Sequence, residues 1–403
     1  MDTALQQPRR LENVDYDAFG EEVFALRDEI HAKLGKEDLA HLWRMIWLNR
    51  MFTFIGYATA WIPNPISIYC LSQGVFGRWL ITHHVSHGGY DAVPNVPERF
   101  KSKVFGRGHR RWRDWFDWII PEAWHHEHNI LHHCHTSEVK DPDLVEDLSE
   151  FLRSSGLPKP LKYVIIFLAG ITWKFSYYAP NTLRTMDHNG VEPTTSLWRA
   201  VWCNGLDLRV SRVRRLWLSC YFPYATVTFI LIPLAFLPFG KWVVLSVLIN
   251  RVLAEFLTNF HSFLVIAPNH AGEDLYRFDY RYKGRGEFAV NQVISSCNYH
   301  CGSPIGDYLQ IWLNYQIEHH IFPRLPMIRY RECQPVVKEI CERHGVPYVQ
   351  EPVWKRFWRM VQIMVGDTSM QWLCEAEIQQ MVPPAVATCP SASEDAGTHG
   401  KAA

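Results

Sequence analysis

The 403-residue sequence predicts an all-α integral membrane fold: four transmembrane helices in two hairpins, with a cytoplasmic helical cap that holds a histidine-rich dimetal site. Three observations lead there. Apolar runs long enough to cross a bilayer come in two pairs, arginine and lysine crowd beside those runs, and the 20 histidines gather beyond the run ends. Charge is balanced at 41 basic against 41 acidic residues, so no global field calls for a nucleic-acid partner. Aromatic residues make up 14% of the chain, with 17 Trp, a type that favours the membrane interface.

The opening MDTALQQPRRLENVDYDAFGEE is polar and charged and has no signal-peptide character. Residues 1–44 are therefore expected to form a cytoplasmic N-terminal helical segment, and the ten scattered cysteines to stay reduced. A membrane domain follows over residues 45–330. Its first pair of spans is MIWLNRMFTFIGYATAWI (45–62) and PISIYCLSQGVFGRWLIT (65–82), joined by the tight turn Pro63-Asn64-Pro65. The second pair is LWLSCYFPYATVTFILIPLAFLP (216–238) and WVVLSVLINRVLAEFLTNFHSFLVI (242–266). Arg251 and Glu255 are costly in lipid and are expected to face the bundle interior, at i,i+4 from each other.

The run at 163–179 (YVIIFLAGITWKFSYYA) is short and carries Lys174. If it crossed, the histidine segments would fall on opposite membrane faces, so it is expected to lie along the interface. Basic residues at 99–113 and 209–215 flank the two pairs, which places both termini and every histidine cluster in the cytoplasm. Residues 331–379 are read as a cytoplasmic C-terminal helical cap, and 380–403, rich in Pro, Ala and Ser, as a disordered tail.

In THHVSHGGYD, His83 and His87 stand at i,i+4, on one helix face, where both imidazoles can reach one metal; His84 points about 100° away. In AWHHEHNILHHCHT, His128 and His132 repeat that spacing, and His133 is turned far enough to reach a second metal. His125, His126 and His135 are read as surface or supporting residues. QIEHH adds His319 and His320, while His261, His270 and His300 stand alone. A lone histidine is more often packed than ligating, but three clusters on one face point to metal. The imidazoles exceed the four ligands of one tetrahedral zinc, and imidazole suits iron, so two irons fit the surplus. Cys297, His300 and Cys301 in CNYHC form a zinc-like rival that lacks a fourth ligand nearby. Ligating imidazoles usually donate their second N–H to an oxygen acceptor, and Asp91, Glu127, Glu138, Asp141, Asp143, Glu146 and Glu318 lie beside the clusters.

HHVSH, HNILHH and LNYQIEHHIFPRLP together resemble the three histidine boxes of membrane fatty acid desaturases, in order and with the two helix pairs around them, over residues 45–330. The third box, with Gln316 in place of its first histidine, is similar to the front-end type; the second box is the longer HxxxHH form. The resemblance implies two iron ions held by His83, His87, His128, His132, His133, His319 and His320. His270, in APNHAGED, stands where a further family ligand is expected, with His261 as second choice. Gln316, His84, His261, His300, Asp91 and Glu318 are candidate further ligands or supporting groups.

The chemistry implied is O2-dependent desaturation of a fatty acyl chain, carried on lipid or on coenzyme A. No flavin, haem or iron–sulfur motif is present, so cytochrome b5 or a ferredoxin is implied as a separate electron donor, with the basic segment 99–113 as its docking site. The location implied is the endoplasmic reticulum membrane, or the inner membrane of a bacterium. Hydroxylase, epoxygenase or acetylenase activity would use the same boxes. A histidine-rich metal transporter would instead place its histidines within the spans.

Overall fold

In the computed structural model, residues 11, 13–188 and 205–374 are described, and most of them are helical. Helix α1 (Tyr16–Ala32) begins where the Asp15 carboxylate accepts from the backbone N–H of Ala18 at 3.0 Å. Helices α2 (Lys36–Ala58) and α3 (Pro65–Ser86) pack as an antiparallel hairpin. Asn64 makes the turn: its side-chain oxygen accepts from Ser67 N–H at 2.9 Å, and Pro65 occupies the first helical position, where a missing N–H costs nothing. Gly56 sits against Leu71 and Gly74 against Thr53, and a Cβ at either would strike its neighbour, so small residues let the two backbones close.

Helix α2 starts at Lys36, ahead of the apolar run that begins at 45, and stops at Ala58, short of 62. Its polar first turns are held by burial in pairs. Asp38 is fully buried, accepts from Gly35 N–H at 2.8 Å and lies 2.7 Å from Arg329. The limit at 44 thus falls inside a helix that ties the N-terminal segment to the stretch after the third box.

Helix α4 covers residues 121–135 without a break: Pro121–Trp124, then a π-helical stretch His125–His132, then His133–His135. Helix α5 (Lys159–Ile171) leads through a π turn, Lys174–Tyr178, into α6 (Ala179–His188). The lysine that made this run ambiguous is neutralised internally, since buried Lys174 Nζ lies 2.7 Å from buried Asp117. Two helices are long and apolar enough to cross a membrane, α7 (Ser211–Phe239) and the stretch Lys241–His270, made of α8 (Lys241–Ile266) and a closing 3₁₀ turn. Arg251 and Glu255 on α8 lie 2.9 Å apart, and Trp118 Nε1–H and Tyr224 O–H complete the carboxylate's shell at 2.8 and 3.0 Å. The α2–α3 turn is pinned to α8, because Asn64 N–H donates to Asn250 at 2.9 Å.

Helices α9 (Arg285–Ile294), α10 (Gln316–Ile321), α11 (Tyr330–His344) and α12 (Val353–Val365) complete the helical set used below. Two short parallel ladders, which the all-helical expectation did not include, tie the C-terminal segment down: β1 (Tyr276–Phe278) pairs with β4 (Gln371–Leu373), and β2 (Cys297–Asn298) with β3 (Val349–Gln350). The described part of the 331–379 segment, to residue 374, therefore mixes helix and strand. The tail at 380–403 lies outside the described residues.

Candidate metal centre

Four elements deliver the histidines. Helix α3 brings His83 and, at its C-cap, His87, one turn apart with ring centroids 4.8 Å from each other. Helix α4 brings His128, His132 and His133, α10 brings His319 and His320, and the 3₁₀ turn after α8 brings His270. All eight are buried. Ligand atoms of His83, His87, His128 and His319 lie within 4.8 Å of one another, and so do those of His132, His270 and His320. His133 sits between the groups, stacked on His320 at 4.2 Å and edge-on to His87 at 4.4 Å.

The i,i+4 pair on α4 therefore does not serve a single group. His128 joins the first and His132 the second, with rings nearly parallel at 5.2 Å. The π winding is responsible: its i→i+5 bonds widen the turn, so successive histidines sweep across the site instead of stacking on one α-helical face. Only the grouping of His128 and His132 with Asp143 puts both in one set.

Several imidazoles are oriented from behind. His132 Nδ1 is 2.9 Å from Asp141, whose carboxylate also accepts from the backbone N–H groups of Ser137 and Asp143 at 2.7 and 2.9 Å. His319 Nδ1 is 3.1 Å from Tyr330 Oη; His320 Nδ1 is 3.0 Å from Gln292 Oε1 and 3.1 Å from Thr136 Oγ1; His270 Nδ1 faces the Ser295 carbonyl at 3.1 Å. The inward nitrogens are different. His87 Nε2, His320 Nε2 and both ring nitrogens of His128 and His133 are buried with no hydrogen-bond partner. Orphaned buried polar atoms are rare and costly, and four neighbouring rings that carry them, each able to offer one nitrogen, suit a metal-binding pocket.

The electrostatics agree. Burial, reinforced by neighbouring imidazoles, holds His87, His128, His133, His319 and His320 well below the usual 6.5, in the neutral form a metal requires. At His132 burial acts in the same direction, but the Asp141 carboxylate outweighs it and the net shift is upward. Burial raises Glu127 well above the usual carboxylate range and pushes Asp143 up to about 6.

The other candidates lie at varied distances from these groups. Gln316 is adjacent, its Nε2 2.8 Å from His270 Nε2. His84 is turned aside and bonds the Ile311 carbonyl at 3.0 Å. His261 stacks on Phe76 and bonds the Leu309 carbonyl at 2.7 Å. Asp91, exposed, accepts from Ser102 N–H and O–H at 2.7 and 2.6 Å. Buried Glu318, pushed up to about 7 by burial, faces Asn298 and Tyr348, each at 2.8 Å, and so braces the third box from the side away from the imidazoles. His300 is exposed, Cys301 donates to the carbonyls of Tyr299 and Asn314, and among the described residues CNYHC forms no metal-binding group. His135 bonds Glu138 at 2.6 Å and His125 bonds Asn129 at 2.8 Å. Thr136, Gln292 and Tyr330 were not legible as partners, because their spacing from the boxes in sequence is unrelated to their place in the fold.

A cavity of about 180 Å³ begins at His83, His128, His132, His270 and Gln316 and extends between α5, α8 and α12, where Ile166, Ala169, Phe263, Met360 and Met364 make its walls apolar. Tyr177, Asn181 and Asp143 supply the few polar groups near its histidine end.

A family model described as fatty acid desaturase matches residues 59–352, more than half of the chain and all three boxes. The chain belongs to the fatty acid desaturase family. The Fatty acid desaturase 3 proteins of Bos taurus and Homo sapiens are 25% and 24% identical over 320 and 328 residues, which is 76% and 78% of this chain but 61% and 63% of theirs. The Delta(6)-fatty-acid desaturase fat-3 of Caenorhabditis elegans is 38% identical over 85 residues, 21% of this chain and 18% of its own. This desaturase-family chain thus spans less than two thirds of each of these relatives.

Proposed function

We propose that the chain is a membrane-bound oxidoreductase that desaturates a fatty acyl chain at a two-iron centre held by His83, His87, His128, His132, His133, His270, His319 and His320. The observation that carries this reading is the pair of buried histidine groups with orphaned inward nitrogens, opening into an apolar cavity in a desaturase-family chain. Two irons bound there would, with O2, two electrons and two protons, supply the power to remove two hydrogens from adjacent acyl carbons and release two waters. The protein's share is positional. Asp141, Tyr330, Gln292 and Thr136 hold the rings in register, while the walls from Ile166 to Met364 bind the alkyl chain and exclude water.

The family relationship and the length of α2 and α3 support four crossings, with α5 along the interface and both termini and the histidines on the cytoplasmic face of the endoplasmic reticulum, or of a bacterial inner membrane. The QIEHH box and the named Delta(6) relative support front-end placement of the new bond. Cytochrome b5 or a ferredoxin would deliver the electrons to the basic segment 99–113. Within it Lys101 is engaged by Glu98, Arg110 by Asp114 and Arg111 by the Ser219 carbonyl, and Lys103 and Arg107 are two of the cations that carry no ion pair among the described residues. The substitution pair Lys103→Glu/Arg107→Glu is expected to slow reduction by the donor and weaken its salt dependence; an unchanged rate would remove this surface from consideration.

The direct test is expression in a host of known lipid composition, followed by fatty acid profiling beside a His132→Ala control. A new unsaturated acid, absent in the control, is expected. An unchanged profile contradicts desaturation, and a hydroxylated, epoxidised or acetylenic acid reassigns the outcome at the same site.

A further inference from the structure

Two of the cations inside the apolar runs of this chain come with a carboxylate partner. Arg251 has Glu255 at 2.9 Å, and Lys174 has Asp117 at 2.7 Å. Arg50, sixth in the 45–62 run, and Arg78, fifth from the end of the 65–82 run, have none: no described carboxylate pairs with either. Arg50 lies over the Trp47 ring at 4.9 Å, and Arg78 donates one N–H to the Phe116 carbonyl at 3.3 Å. The close approach of Gly77 to Asn49 puts the two arginines level on the α2–α3 hairpin. An arginine in lipid without a counter-charge is costly enough that such residues mark binding sites by default.

Both arginines line a groove on the outside of this hairpin, joined at the same end by Arg99 and Arg113. Arg99 covers the rings of Trp43 and Phe100, and neither Arg99 nor Arg113 has an ion-pair partner among the described residues. Asp114, the carboxylate in the lining, is already held by Arg110 through two bonds of 2.8 and 2.9 Å. The other end is aromatic. Phe54, Tyr57 and Trp61 meet Phe236 and Phe239 from the end of α7, with Trp61 4.8 Å from Phe239 and Tyr57 6.2 Å from Phe236. From Arg50 to Tyr57 the helix rises about 10 Å, and Trp61 and Phe239 extend the apolar floor beyond that.

Four cations at one end of an apolar trough describe an amphiphile with a negative head. We propose that the groove binds one anionic glycerophospholipid, its phosphate between Arg50 and Arg78 and an acyl chain along the aromatic floor. The inference rests on the reading that α2 and α3 cross the membrane. The basic end lies toward the loop 99–113, on the face assigned to the cytoplasm, where anionic lipids concentrate. The groove shares no lining residue with the cavity at the histidines, so this lipid is a bound companion of the fold and not the acyl chain being desaturated.

The test uses the full chain, delipidated in detergent, with its melting temperature and lipid stoichiometry followed as dioleoylphosphatidic acid is added. Saturation at one lipid per chain is expected, with affinity reduced about tenfold or more by Arg50→Gln/Arg78→Gln and by Phe54→Ala/Trp61→Ala, and unchanged by Arg44→Gln, an exposed arginine of α2 outside the groove. If the arginine double variant does not fold, Arg113→Gln at the rim is expected to give a smaller loss of the same sign. Equal stabilisation by inorganic phosphate would overturn the lipid, equal binding of dioleoylphosphatidylcholine the preference for negative charge, and unchanged affinity in the variants the site itself. Acyl turnover is not read in this assay, so a chain that desaturates but shows no such binding loses this inference alone.

Discussion

At the residue scale, the site depends as much on the groups behind the imidazoles as on the imidazoles themselves. Asp141 orients His132 at 2.9 Å and anchors itself on two backbone N–H groups. Asp141→Asn keeps the shape but removes the charge, and is expected to lower metal affinity or activity about 10–100-fold, read as metal per chain after dialysis against a chelator. The depressed histidines carry a signed consequence for the metal-free protein. His87, His128, His133, His319 and His320 stay neutral when folded but protonate when unfolded once the pH drops below 6.5, so the unfolded state binds more protons. Stability of the metal-free chain is therefore expected to fall between about pH 7 and about pH 5. The upward shift at His132 offsets only part of that loss. A flat melting profile over that window would contradict the burial of these rings. Seven of the eight clustered histidines come in boxes and stand out in the sequence, while His270 is isolated; Thr136, Gln292 and Tyr330 leave no such signal, since only folding brings them to Nδ1 atoms.

At the element scale, hydropathy locates the apolar runs but misjudges their ends. Helix α2 extends back to Lys36 because Arg329, far along the chain, neutralises Asp38, and no local pattern announces that pairing. Lys174 obscured the run at 163–179 for the same reason, its counter-charge Asp117 lying on another segment. Arg251 and Glu255, by contrast, are neighbours on one helix and were legible at once. Glu255→Ala leaves a buried guanidinium without its carboxylate and is expected to cost about 3–5 kcal/mol, measured as lost resistance to denaturant, whereas replacing both partners with Met is expected to cost much less. The π winding of α4 is the feature that periodicity hid most completely, because i,i+4 spacing reads as one face only on an α-helix.

At the scale of the whole molecule, segments far apart in sequence close around one centre: two helices from the first half, a turn at the end of α8, and α10 braced by β2 through Asn298, which accepts from Ile317 N–H at 2.9 Å. The cavity that leaves this centre is walled by α5, α8 and α12, so on the proposed function the length of acyl chain accepted would be set by elements that carry none of the clustered histidines. Ala169→Trp narrows it and is expected to shift products toward shorter chains with metal content unchanged, scored by the chain lengths of the unsaturated acids formed. None of this was legible in advance, because a tunnel of apolar side chains leaves no motif. The most direct check on the centre is a count of metal per chain in protein purified from iron-supplied cells. Two irons are expected for the native chain, with loss on His133→Ala, since His133 lies between the two groups; a single ion per chain, or zinc in place of iron, would contradict the two-iron centre.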